Sequence, residues 1–332
     1  MFRVTLGCID KTWNGPGINR EIVFKLSTNS EPRNEAICLS KSEVHTCKRC
    51  RMYVLGTEEL KSAEHILNGS FPESLKVYGC LYNINRGKPY NWEVIADSWP
   101  DFRAIICKPT PQSRRDYQDR EGDCNMCHIY AKDKESLQKL LGTSGLLDWS
   151  QFTLLAGVDS KHLDAVKELA AWKNTPTKTE VAVFLMTLED ASHLKDPKSD
   201  LASRLKPLTT AHAELINSKW KHGSSKSSYN SIVSFISNYP SLCVTAEDGT
   251  PVSWLLLSHY GALGLLYTSP EHRRKGHARL LVTIMARALL EQGRPVYSVV
   301  EEGNDPSYRL FTSLGFSHKP DYRAVWFQLN PR

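Results

Sequence analysis

One stretch constrains this chain more than any other. An apolar run of strand character (Leu263, Leu265, Leu266, Tyr267) stops at Ser269-Pro270, because proline has no N–H for a ladder and restricts the residue before it. From near Gly276, the positions Leu280, Leu281, Ile284, Met285, Ala288 and Leu289 follow one face of a 3.6-residue period, and Gly293 and Pro295 close it. Between strand and helix lie Arg273, Arg274, Lys275 and Arg279, with Gly276 and small Ala278 among them. The first N–H groups of a helix lack intrahelical partners and carry the positive end of its dipole. A glycine there lets an anion reach the amides, and flanking arginines add charge-assisted hydrogen bonds, so the pattern reads as a phosphate cradle. A solvated basic loop ahead of an amphipathic helix is the plainer alternative.

A chain of 332 residues predicts two domains, since single cores stop growing at about 250–300 residues. Apolar content of 41% and charged content of 23% are those of an ordinary globular protein. The net charge of +6 suits an anionic ligand and is too mild to argue for nucleic acid. No membrane span is expected, as Arg279 and Arg287 interrupt even the most apolar segment. Asp10 and Lys11 interrupt any secretory signal, which predicts an intracellular setting and reduced cysteines. The pairs Cys47/Cys50 and Cys124/Cys127, the second followed by His128, stand too far apart for a compact zinc module, so no metal is expected.

Residues 1–51 show no sustained period and read as a poorly ordered extension. Residues 52–200 read as a mixed α/β domain. Its expected elements are a helix over 55–67, an alternating strand over 75–85, a helix over 92–98, strands at 102–108 and 129–130, helices at 134–141 and 163–172, and a strand at 181–185. A linker is expected over Glu189–Lys206. The domain over 201–332 then reads strand (205–208), two helices (211–220, 229–236), strands at 242–246, 252–257 and 263–267, the helix from Gly276, a strand (296–300), a short helix capped at Asn304, and a last strand over Ala324–Leu329.

That order, with Arg273-x-x-Gly276-x-Ala278 and Asn304-x-x-Ser307-x-x-Leu310-Phe311-x-x-x-Gly315-Phe316, resembles the GNAT acyltransferase superfamily. At closer range the chain resembles the glycine N-acyltransferase family and its glycine N-acyltransferase-like members. The similar segments are Phe71-Pro-Glu-Ser-Leu-Lys-Val-Tyr-Gly79, Asn83-Ile-Asn-Arg-Gly87, Asp97-Ser-Trp-Pro-Asp-Phe102, Gly249-Thr-Pro-Val-Ser-Trp254 and Thr268-x-Pro-Glu-His-Arg-Arg-Lys-Gly276, together with His212, Ala213, Leu215, Asn217 and Trp220. The resemblance covers 52–332 and implies an α/β fold in which a GNAT-type acyl-CoA-binding domain follows a companion domain. It implies acyl transfer from an acyl-CoA co-substrate to the amine of glycine or another small amino acid. Backbone groups of Leu266, Tyr267 and Thr268 would hold the pantetheine arm. Arg273, Arg274, Lys275, Gly276, His277, Ala278 and Arg279 would cradle the pyrophosphate, and Asn304 and Tyr308 would lie along the exit side of coenzyme A.

The chain departs from the family where chemistry is concerned. Ala262 stands where the family has a glutamate base, and Phe311 where it has a tyrosine acid. Substitutes nearby are His259 or Glu302 as base, with Glu301 beside the latter, and Tyr308 as acid. A coenzyme A-binding paralogue that is catalytically weak or regulatory is the alternative. A monomer is expected, and the resemblance implies a mitochondrial location, with the cytoplasm or the endoplasmic reticulum surface as alternatives.

Overall fold

The computed structural model describes residues 52–88, 92–110, 125–195 and 204–331. Before residue 52 it describes only an antiparallel strand pair, Leu6–Cys8 with Phe24–Leu26. The expected disorder of residues 1–51 otherwise lies outside the described residues, as do Cys47, Cys50 and Cys124.

The chain runs β1 (Tyr53–Val54), α1 (Thr57–Asn68), α2 (Leu75–Asn85), β2 (Trp92–Ala96), β3 (Ala104–Pro109), β4 (Met126–Ala131), α3 (Lys134–Gly142), β5 (Thr153–Asp159), α4 (Leu163–Trp172) and β6 (Thr177–Leu188). The same succession then recurs: β7 (Leu205–Lys206), α5 (Ala213–Lys219), α6 (Lys226–Asn238), β8 (Ser241–Thr245), β9 (Pro251–Leu257), β10 (Leu263–Thr268), α7 (His277–Glu291), β11 (Val296–Glu301), α8 (Asp305–Thr312) and β12 (Ala324–Leu329). The fold is thus mixed α/β, with one arrangement of elements used twice.

Two compact bodies result, each discontinuous in sequence. The first comprises Ser40–Thr187, Val299–Tyr308 and His318–Arg332, and the second Met1–Leu39, Leu188–Ser298 and Arg309–Ser317. In the first, the strand order is β1-β2-β3-β4-β5-β12-β6, with β4 and β5 parallel and β12 antiparallel to both its neighbours. Ile106, Leu140, Leu155, Val166 and Phe327 form its core. In the second, β7-β8-β9-β10 are antiparallel neighbours and β10 is parallel to β11. Its core collects Ile216, Ile232, Cys243, Trp254 and Leu256. Each such side chain contributes roughly 1.5–3 kcal/mol by leaving water.

Two expectations fail in the first body. Residues 75–85 are helix α2, not a strand. Nearly every position from Leu75 to Ile84 is buried, polar Lys76 and Asn83 included, so no apolar face alternates with a solvated one and the 3.6-residue period does not show in the sequence. Residues 92–96 are strand β2, not a helix, paired with β3 from Trp92↔Pro109 to Ala96↔Ile105. Ladder bonds and two β-branched residues, Val94 and Ile95, outweigh the local pattern. Strand β5 has no counterpart among the expected elements.

Candidate functional site

The cradle stretch belongs to the second body. Strand β10 pairs with β9 on one side, and Ser253 there donates its hydroxyl to the Tyr267 carbonyl (2.9 Å) and meets the Thr268 hydroxyl at 2.7 Å. Tyr267 stacks on buried Trp254, with centroids 4.7 Å apart. The β9–β10 register slips between Trp254 and Leu256, and opposite this slip Leu265 takes φ +51°. A non-glycine residue in the left-handed region marks a bulge that re-aims the strand. On its other side β10 meets β11 at Leu263↔Ser298, where the Ser298 hydroxyl donates to the Leu263 carbonyl (2.9 Å). Leu266, Tyr267 and Thr268 follow, each half-buried rather than sealed in the core.

After Thr268 the chain makes a short 3₁₀ turn (Pro270–His272) and enters α7 through Arg274 at φ +60° and Gly276 at φ +86°. Gly276 is the N-cap residue and makes no side-chain cap, so no cap group covers the first amides of α7. The space around the Gly276 α-carbon is open. Arg273, Arg274 and Lys275 are exposed beside it, and the Arg273 Nε donates to the Thr268 carbonyl (3.0 Å), tying the basic turn to the strand. The geometry is that of an anion site: uncapped amides, a positive dipole end and exposed cations.

Two cradle residues do something else with their side chains. Arg279 donates to the Ser313 carbonyl (3.3 Å) and hydroxyl (2.7 Å), bracing the chain after α8. His277 is buried, its ring 6.0 Å from that of His272. Burial lowers its pKa, and the positive charges of Arg204, His272 and Lys275 act in the same direction. The His277 ring therefore belongs to the core rather than to the exposed basic turn, and Ala278 beside it is half-buried.

The profile of the aralkyl acyl-CoA:amino acid N-acyltransferase family matches residues 52–240, and that of FR47-like proteins matches 243–326. The chain is 31% identical to glycine N-acyltransferase of Homo sapiens over 83% of its length and 97% of the human protein. It belongs to the aralkyl acyl-CoA:amino acid N-acyltransferase family. A glycine N-phenylacetyltransferase of Bos taurus is 29% identical over 76% of this chain and 90% of its own. A crystal structure of a Drosophila protein superposes with a TM-score of 0.69, covering 85% of this chain and all of that one at 18% identity, which is a likeness of fold.

Within this N-acyltransferase, Ala262 is buried, its N–H donating to the Ser258 hydroxyl (3.0 Å) and its carbonyl accepting from the Ser258 N–H (2.9 Å). A methyl group there can take no proton. Phe311 is likewise buried, edge-on to Phe316 at 5.0 Å. His259 sits in the β9–β10 turn, its ring stacked on Phe235 at 5.6 Å and edge-on to Tyr260 at 5.0 Å. Burial pushes its pKa down to about 3, so the ring is neutral at physiological pH and only weakly basic.

The remaining candidates belong to the first body. Glu302 is exposed and ion-paired with Arg323 at 2.9 Å. Tyr308 packs on Phe184 (5.2 Å), and its hydroxyl lies 3.4 Å from His318 Nδ1. Asn304 accepts from the Ser307 N–H (3.3 Å), as a helix cap does. The bulge at Leu265 and the Ser253–Thr268 contact escape sequence reasoning, because neither a β-bulge nor a cross-strand hydroxyl pair has a periodic signature.

Proposed function

We infer that this protein transfers an acyl group from acyl-CoA to the amino group of glycine or another small amino acid, releasing the N-acyl amino acid and coenzyme A. The observation that carries the reading is Gly276 at φ +86°, which leaves the N-terminus of α7 uncapped beside Arg273, Arg274 and Lys275. The pyrophosphate of coenzyme A would dock on the first amides of α7, and the half-buried end of β10 at Leu266, Tyr267 and Thr268 would offer backbone groups to the pantetheine arm. With the thioester held there, a backbone N–H of β10 would stabilise the tetrahedral oxyanion.

The amine must arrive without its proton. Ala262 and Phe311 supply neither a base nor an acid, and His259, with a pKa near 3, pulls a proton feebly. We therefore propose that transfer rests on positioning and oxyanion stabilisation, with the amine entering as its free base and its proton leaving to solvent. A missing general base typically slows a reaction about 100- to 10,000-fold. That loss favours a slower enzyme than a family member that carries the glutamate.

The test is to incubate the full chain with acetyl-CoA or benzoyl-CoA and a panel of amino acids, following thiol release. Amine-dependent release with N-acyl amino acid detected by mass spectrometry is expected. Coenzyme A binding without amine-dependent release would overturn the reading in favour of a non-catalytic paralogue.

A further inference from the structure

One hydroxyl stands beside the cradle without a task in it. Ser269 directly follows β10, and its N–H donates to the Val252 carbonyl (2.9 Å), which holds its backbone against β9. The side chain is not held in the same way. Ser269 is the N-cap residue of the 3₁₀ turn Pro270–His272 but makes no side-chain cap, whereas the Thr268 hydroxyl before it is engaged with that of Ser253 at 2.7 Å. Ser269 is half-buried, and the chain from Pro270 to Gly276 is exposed apart from half-buried His272. Arg273 folds back over this turn, its Nε donating to the Thr268 carbonyl (3.0 Å), the oxygen of the peptide unit that leads into Ser269. The guanidinium therefore lies within one side chain's reach of the Ser269 β-carbon.

We propose that Ser269 is a phosphorylation site for a proline-directed protein kinase, and that the phosphate closes the cradle to acyl-CoA. The acceptor hydroxyl is followed at once by Pro270, whose fixed φ and missing N–H are what such a kinase selects, and Arg273, Arg274 and Lys275 lie a few residues further on. In the transfer, the Ser269 Oγ bonds to the γ-phosphorus of ATP, the bond from that phosphorus to the bridging β,γ-oxygen breaks, ADP leaves, and the hydroxyl proton passes to the base of the kinase. The consequence is electrostatic. Arg273, Arg274 and Lys275 carry three positive charges, and a phosphoserine with about −1.5 to −2 at pH 7 offsets roughly half to two-thirds of them. Its oxygens also take charge-assisted hydrogen bonds from the Arg273 guanidinium, which a pyrophosphate would otherwise receive. The cradle is then filled by an anion of its own chain, as the N-terminus of a carboxylate-capped helix is, but in a form that a phosphatase removes. This inference rests on the acyl-CoA reading of the cradle.

The test treats the full chain with a proline-directed kinase and ATP, maps the phosphate by mass spectrometry, and measures benzoyl-CoA affinity by calorimetry before and after. Phosphate is expected on Ser269 and is absent from that peptide in Ser269→Ala. Affinity of the phosphorylated chain should fall by about tenfold or more and return after phosphatase treatment. Ser269→Ala, which removes a hydroxyl that caps nothing, should bind as the unmodified chain does and should not respond to the kinase. Raising the salt concentration should narrow the gap between phosphorylated and unmodified chains, because the added charge acts through solvent-exposed cations. Absence of phosphate on Ser269 after treatment, or equal affinity with and without it, overturns the proposal while leaving the cradle intact. An unmodified chain that does not bind benzoyl-CoA overturns the cradle reading, and the proposal falls with it.

Discussion

Two helices occupy the same place in the repeated succession, α3 after β4 and α7 after β10, and their N-termini are finished in opposite ways. At α3 the N-cap residue is Asp133, whose carboxylate accepts from the Ser136 N–H (2.8 Å) and from Arg103 Nε (2.8 Å). The amide bond to Ser136 is the larger reason its pKa falls to about 2, with the Arg103 charge adding to it. At α7 the N-cap is Gly276, with no side chain to cap. Basic residues do not distinguish the two, since Lys132 and Lys134 flank the first as Arg274 and Lys275 flank the second. The difference lies in whether the helix end already holds an anion of its own. A helix N-terminus is an anion site only while no carboxylate from its own chain fills it.

The strand that follows α3 and the strand that precedes α7 differ in the same sense. In the first body, Lys76 of α2 runs against β5 at Gly157, whose φ of +80° and missing side chain make the approach possible. A β-carbon on Gly157 would stand 2.0 Å from the Lys76 Cε. In the second body, β10 ends half-buried beside open space.

The sharpest attempt to break this comparison is Gly276→Asp, which gives α7 the cap of α3. Aspartate tolerates a positive φ better than most residues, so the fold should survive. Affinity for acyl-CoA, measured by calorimetry, should fall about 100-fold, or roughly 2.7 kcal/mol. Unchanged affinity would show that the arginines alone hold the cofactor.

Lys76 comes next. Burial lowers its pKa from 10.5 to about 7, against the opposing pull of Asp159. Between pH 7 and 10.5 the unfolded chain holds a proton that the folded chain lacks, so wild-type stability rises with pH across that window. Below pH 7 the penalty is fully present. Lys76→Met should therefore stabilise the protein by about 2 kcal/mol near pH 6, with the gain shrinking towards pH 10.5, as read from denaturant midpoints. A difference independent of pH would mean that Lys76 keeps its ordinary pKa in the folded chain.

Asp133→Ala should cost about 1 kcal/mol of stability, the usual worth of a cap, and should not create acyl-CoA binding in the first body. The folded pKa of about 2 lies below the ordinary value of 3.8, so this contribution is present above pH 3.8 and disappears as pH falls towards 2. The difference between wild type and variant in an acid titration should close over that interval.

Much of this contrast is legible in the sequence. The turn from Ser269 to Gly276 and the helix behind it are local, and proline, glycine and a clear helical period mark such features directly. The final strand has its expected bounds, Ala324–Leu329. What escapes is set by tertiary packing. Helix α2 shows no apolar stripe because it is covered nearly all round, and β5 carries Gly157 because Lys76 of that helix, distant in sequence, needs the space. The recurrence of one succession of elements in both halves is hidden for the same reason, since residues 75–85 carry a strand-like pattern in a helix and residues 92–96 a helix-like one in a strand.

The smallest effect is expected at His259, and its smallness carries information. A general base on this enzyme should be worth about 100-fold or more, and its titration should put a limb on the pH–rate profile. A ring held near pKa 3 by burial is already deprotonated throughout the working range, so it cannot produce a limb near its ordinary value of 6.5. His259→Asn should accordingly change kcat/KM by less than about threefold, since hydrogen-bonding capacity is kept and only weak basicity is lost. The wild-type rate should climb with the fraction of free amine and show no enzyme limb below it. A loss of about 100-fold, or a limb near pH 6.5 that vanishes in the variant, would mean that substrate binding raises the histidine pKa. The second body would then regain, through a turn residue, the proton acceptor that Ala262 lacks.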